Sequence, residues 1–216
     1  YIKRRKKRGA LNMAINLGSM MGNRSGEVVN ALNLQKNQIL DLTKKNPGLE
    51  KVILGAGWDI AKNGYDFDLD IAAFLLNSNG KVQNIPQDVI FFNNMEAPGI
   101  ALEGDNRTGA GDGDDERITI DLSQIRSDIA KIVFVITIHE AQVKRQTFGM
   151  VENSYIRLLD AKNNEKEVCR FNLKENGSTS TSVIFAELFR DGFGWQFKAV
   201  GEGKMADLNG ILSLYM

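Results

Sequence analysis

The residues best able to do chemistry lie between Glu103 and Glu116, where six acids (Glu103, Asp105, Asp112, Asp114, Asp115, Glu116) stand against one base, Arg107. Like charges at this density repel one another unless water or a cation stabilises them. Gly109, Gly111 and Gly113 let the backbone fold tightly and turn its carbonyl oxygens inward, which places Gly111 among the candidate ligands. The carboxylates of Asp105, Asp112, Asp114, Asp115 and Glu116, with the amide oxygen of Asn106, supply hard oxygen donors. Ca²⁺ takes about six to eight such oxygens in flexible geometry at about 2.3–2.6 Å. The segment holds no histidine or cysteine, which argues against Zn²⁺ or Cu²⁺. Mg²⁺ prefers a compact octahedral shell that keeps several waters, so Ca²⁺ fits better.

The pattern is not an EF-hand. Reading Asp105 as the first loop position places Glu116 at the twelfth, but Arg107 and Ala110 then occupy positions that need a ligand and a glycine. A second acidic set lies upstream, in Asp66-Phe-Asp-Leu-Asp70. As a strand, this segment puts Asp66, Asp68 and Asp70 on one face and Phe67, Leu69 and Ile71 on the other. A cation bridging that face to the glycine loop would relieve both clusters. Asp59, after Trp58, is a further candidate ligand. The alternative is a solvated acidic strand and loop.

The remaining reactive residue types fit no catalytic motif. His139, the one histidine, ends a hydrophobic run with no Ser or Cys partner in motif, and reads as a packed or hydrogen-bonded side chain. Cys169 alternates within a strand-like run and reads as a small buried residue. Trp58 and Trp195 read as core. The paired glycines at 55/57 and 192/194 complete no dinucleotide fingerprint, and no phosphate-binding loop of the Gly-Lys-Ser/Thr type occurs.

The elements that must position these residues are short strands. From about residue 29 apolar residues recur with period two, through Ala31–Leu34, Gln38–Leu42, Val52–Leu54, Phe67–Leu76, Val89–Phe92 and Arg117–Leu122. Ile132–Ile138, Ser154–Leu159, Val168–Leu173, Val183–Phe189 and Gln196–Val200 complete the set. Asn46-Pro-Gly48 marks a turn, Asn79-Gly80 marks a hairpin, and Ser123 could cap a short helix over Leu122–Ile129. Many short strands with turns between them predict an all-β fold, a sandwich of two antiparallel sheets with few short helices. Ala72–Asn77 echoes Tyr155–Asp160, and Val89–Phe92 echoes Val183–Ala186, a faint hint of two related half-sheets.

At 216 residues, 43% hydrophobic and 25% charged, the chain can bury a substantial core. No apolar run reaches the roughly 18–20 residues that span a bilayer. No secretory signal is apparent, and a single cysteine points to a reducing compartment. The net charge of zero hides an asymmetry, because residues 3–8 are all Lys or Arg and leave the rest of the chain at −6. Residues 1–30 therefore read as a separate basic segment, either an unstructured tail or a polybasic stretch that meets anionic lipid. The basic run lacks interleaved aromatics and the body is acidic, so no nucleic-acid partner is expected.

Gly57-Trp58-Asp59, Phe67–Leu76, Asp88-Val-Ile-Phe-Phe-Asn-Asn94, Gly104-Asp-Asn-Arg-Thr-Gly109 with Gly111-Asp-Gly-Asp-Asp-Glu116, and Val135-Ile-Thr-Ile-His-Glu140 resemble the TerD-type tellurium-resistance family, in this order. The similarity runs from about Leu32 to Met216 and departs at Ile71-Ala72, where the family often carries a small Ala-Ser pair. The resemblance implies a calcium-bound β-sandwich over residues 31–216 with a cytoplasmic role in tellurite and other stress. It also implies assembly with other Ter-type proteins at the membrane. Family metal ligands would map onto Asp66–Asp70 and the 104–116 loop. Two further readings stay open: a metal-dependent hydrolase whose carboxylates activate water, and a lipid-surface adaptor driven by residues 3–8.

Overall fold

The period-two runs do fold as strands. The computed structural model describes residues 31–59, 67–103, 113–173, 179–192 and 194–216. Among them are β1 (Leu32–Asn33), β2 (Ile39–Asp41), β3 (Lys51–Asp59), β4 (Leu69–Leu76), β5 (Val89–Ile90), β6 (Glu96–Ala97) and β7 (Ile100–Glu103). These are followed by β8 (Glu116–Asp121), β9 (Lys131–Ile138), β10 (Glu152–Asp160), β11 (Lys166–Asn172), β12 (Ser182–Asp191) and β13 (Gly194–Lys204). One sheet has the order β1-β11-β10-β3-β8-β7-β6 and the other β2-β13-β12-β9-β4-β5. Adjacent strands run antiparallel, except that β1 lies parallel to β11. The described residues all belong to one compact unit, Ala31–Met216. The expectations for residues 1–30 and for the basic run at 3–8 fall outside the described residues.

Alternation decides which side chains enter the core. In β8, Glu116, Ile118 and Ile120 are buried while Arg117, Thr119 and Asp121 are half-buried. In the other sheet β4 and β9 are apolar on both faces, and the packing explains why. Leu69, Ile71, Ala73 and Leu75 join Ile132, Phe134 and Ile136 between the sheets. Ala72, Phe74, Leu76, Val133 and Val135 form a second cluster on the outer face. That cluster is covered by the C-terminal α-helix Leu208–Leu212 and the 3₁₀ turn Ser213–Tyr215, with Ile211 fully buried and the Tyr215 ring 5.9 Å from Phe74. Burying one such aromatic stabilises the fold by about 1.5–3 kcal/mol. Asp207 caps this helix by accepting from the Gly210 amide at 2.8 Å.

Three expectations are corrected. Asn79-Gly80 lies in a turn, but β4 and β5 are joined by a long connection rather than a tight hairpin, and Asn77 organises it by accepting from the Asn79 and Lys81 amides. No helix forms over Leu122–Ile129. Asp121 captures the Ser123 amide and hydroxyl, and the carbonyls of Ile125 and Ile129 accept from Arg190 at 3.0 Å each, so those groups are used in turns. The echoed segments do not make related half-sheets, because β4 pairs with β5 whereas β10 and β12 lie in different sheets. No helix among the described residues is long and apolar enough to cross a membrane.

Candidate metal centre

Four of the candidate ligands, Asp59, Asp114, Asp115 and Glu116, lie where β3 ends and β8 begins. Pairing of Ala56 with Glu116 and of Gly55 with Arg117 fixes how the acidic segment enters the sheet. Glu116 takes the inward phase of β8, is 3% exposed, and accepts from the Ile71 amide of the opposite sheet at 2.8 Å. A carboxylate buried among isoleucines is tolerable only when hydrogen-bonded, and this one ties the two sheets together. One residue earlier, the Asp115 amide donates to the Ala56 carbonyl at 2.8 Å and its Oδ2 accepts from the Trp58 amide at 2.9 Å. Burial raises the Asp115 carboxyl above the usual carboxylate range; the Trp58 amide opposes this, and the charges of Asp114 and Asp59 reinforce it. Its ionised form is therefore disfavoured.

Asp59 and Asp114 flank Asp115 differently. Asp59 ends β3, is exposed, and accepts from the Asn153 amide group at 2.6 Å. Asp114 is turned toward the sheet, its side chain 2% exposed. Its Oδ1 accepts from Arg157 Nε at 2.7 Å, and the Tyr155 hydroxyl, which donates to the Gly113 carbonyl at 2.9 Å, lies 3.3 Å away. Asp114 Oδ2 lies over Gly55, buried and without a hydrogen-bond partner among the described residues.

At the start of β4 the predicted alternation holds for Asp68, just before it, and Asp70, which face away from buried Leu69 and Ile71. Asp70 Oδ2 lies 3.5 Å from His139 Nδ1, and the His139 amide donates to the Asp68 carbonyl at 2.8 Å. His139 is 43% exposed at this rim and is not a core residue. Cys169 is fully buried, and burial pushes its thiol up to about 12. Trp58 and Trp195 are core residues as expected.

Asp66, Asp105, Asn106, Gly111 and Asp112 lie outside the described residues. Among the described residues no three acidic, cysteine or histidine side chains close around one point as a metal cage. Their chemistry nonetheless fits a hard cation: the donors are all oxygen, and Asp115 is half-buried beside two like charges. Sequence reasoning missed Tyr155 and Arg157, which reach Asp114, and Asn153, which reaches Asp59, through pairing of β3 with β10, and Gly55, which faces Asp114 through pairing of β3 with β8. No motif marks them. Next to Asp59 a polar cleft of about 730 Å³ is lined by Lys36, Asn153, Tyr155, Arg170 and Asn172.

Residues 31–215 match the model of the TerD domain. A tellurium resistance protein TerD of Serratia marcescens is 44% identical over 188 residues, covering 86% of this chain and 97% of that protein. General stress protein 16U of Bacillus subtilis (strain 168) is 45% identical over 188 residues, covering 85% of this chain and 96% of that protein. The crystal structure of the unknown-function protein SAV2460 superimposes with a TM-score of 0.63 at 27% identity, over 76% of this chain and 95% of that one. With its sandwich, its acidic strand end and nearly its whole described length matched, the chain belongs to the TerD domain family.

Proposed function

We propose that this chain is a non-enzymatic Ca²⁺-binding stress-response module acting in resistance to tellurite and other chemical stress. The stress role is supported by its relatives, which are named for tellurium resistance in Serratia marcescens and for general stress in Bacillus subtilis. The ion reading rests on one observation. Asp115 is half-buried where β3 ends, and its charged form is disfavoured first by that burial and then by repulsion from the nearby Asp114 and Asp59. The residues that would hold the ion are Asp115, Glu116 and Asp59, with Asp105, Asn106, Gly111 and Asp112 from the loop and Asp66, Asp68 and Asp70 from the strand; Asp114, the remaining candidate, is engaged by Arg157. Bound Ca²⁺ supplies positive charge that offsets this repulsion. The chain's own residues set the approach: Glu116 spans the two sheets, and Asp115 extends the β3 ladder beyond its last backbone pair.

Calorimetric titration of the chelator-treated chain with CaCl₂ and MgCl₂ tests this. The expected result is saturable Ca²⁺ uptake, weaker Mg²⁺ uptake, and a loss of at least tenfold in Ca²⁺ affinity in Asp115→Asn. No Ca²⁺ uptake by the unmutated chain overturns the reading. In the cell the module would work through other Ter-type proteins at the cytoplasmic face of the membrane, with residues 3–8 meeting anionic lipid. Co-sedimentation with phosphatidylserine vesicles, with and without residues 1–30, tests that part; equal binding by both chains counts against it.

A further inference from the structure

One register row crosses the outer face of the larger sheet: Glu103 of β7, Arg117 of β8, Gly55 of β3, Arg157 of β10, Arg170 of β11 and Asn33 of β1. Side chains directly opposite on neighbouring strands lie about 4.5–5.5 Å apart at Cβ, so the adjacent Arg157 and Arg170 repel unless an anion sits between them. Gly55 leaves a gap in the middle of the row, and the Asp114 carboxylate fills it. A Cβ added at Gly55 would fall within that carboxylate. Two residues along the same face, Gly57 seats the Tyr155 ring, and an added Cβ there would stand 2.5 Å from Tyr155 Cζ.

The groups on these two glycines form a closed circuit. Arg157 binds Asp114 at 2.7 Å and Glu167 at 3.4 Å. Glu167 also accepts from Arg170 at 3.0 and 2.9 Å. The Arg170 guanidinium lies 4.2 Å over the Tyr155 ring, and the Tyr155 hydroxyl returns to the Gly113 carbonyl. Asp114 is thus already neutralised by a guanidinium, and its second oxygen faces the β3 backbone.

We propose that Arg157 and Tyr155, seated on Gly55 and Gly57, are positioning residues that clamp Asp114 and thereby fix the backbone from which Asp115 and Glu116 project toward the ion. This rests on the calcium reading above. Asp114 is an anchor of the loop's exit, and the ion's charge is met by the other acids.

The test uses the full chain with Arg157→Met, Arg157→Lys, Gly55→Ala, Asp114→Asn and the Asp114→Asn/Arg157→Met double variant. Native-state amide exchange in chelator reads the clamp itself. Removing Arg157 or evicting Asp114 with Gly55→Ala should speed exchange at the Asp115 and Trp58 amides at least tenfold, leaving β9 amides unchanged. In Ca²⁺ titration Arg157→Met and Gly55→Ala should each weaken affinity about tenfold without changing the number of ions bound. Arg157→Lys should recover part of that loss, and the double variant should be no weaker than Arg157→Met alone. Unchanged exchange at Asp115 and Trp58 overturns the clamp. So does a fall in ion number in Asp114→Asn together with unaltered or tighter binding in Arg157→Met, because Asp114 would then be a ligand. If the unmutated chain takes up no Ca²⁺, the calcium reading fails by itself and the exchange data still decide the clamp.

Discussion

At the residue scale the acidic segment contains carboxylates with opposed environments. Glu116 is buried and accepts an amide from the opposite sheet, Asp114 is neutralised by Arg157, and Asp115 is half-buried with its protonation favoured. The sign of the last effect yields a prediction. A carboxyl whose folded pKa lies above its unfolded value binds its proton more tightly in the folded state. The penalty for its charge is therefore full above both values and is relieved as pH falls through the folded pKa. Asp115→Asn keeps an oxygen for the Trp58 amide and removes the charge. In chelator at pH 8 it is expected to raise the melting temperature by about 1 °C, a small effect because water screens a half-exposed carboxylate. That advantage over the wild type should shrink as pH is lowered toward 4, and saturating Ca²⁺ should reverse its sign; thermal scans at several pH values check both.

Among the elements, the long strands were legible because their patterns are strong, and the connections were not. The alternation of Asp68 and Asp70 against Leu69 and Ile71 could be read locally. The Arg157–Asp114 pair could not, because the partners stand 43 residues apart and meet only through strand register. Ile125 and Ile129, four residues apart and both buried, imitate helical periodicity, yet Arg190 and Asp121 take up the polar groups a helix would use. The β4–β5 connection likewise rests on contacts that local pattern does not carry. Its anchor is Asp88, 1% exposed, which accepts from the Asn84 amide and side chain at 3.0 Å each and from Arg126 at 2.7 Å. Asp88→Ala strands those donors and is expected to cost about 2–4 kcal/mol, read as a lower denaturation midpoint in urea. Asp88→Asn, which can still accept from the Asn84 amide, should cost less.

For the molecule as a whole, the two outer faces differ in kind. One sheet shows its charged row to solvent, while the other hides an apolar face beneath the last residues of the chain. Ile211, fully buried under that cover, should cost about 2–5 kcal/mol when changed to Ala, with a matching fall in urea midpoint and an unchanged slope. Deleting Leu208–Met216 should bare Phe74, Val133 and Val135 and drive the protein to aggregate, which light scattering would register. Sealing of the sandwich has one more consequence, through Cys169. Because the sole sulfhydryl lies wholly inside and is held undissociated at neutral pH, an alkylating probe can modify it only in molecules that have come apart. Its labelling rate is thus an intrinsic clock for global opening, expected to slow when calcium is added and to quicken in the Ile211→Ala chain.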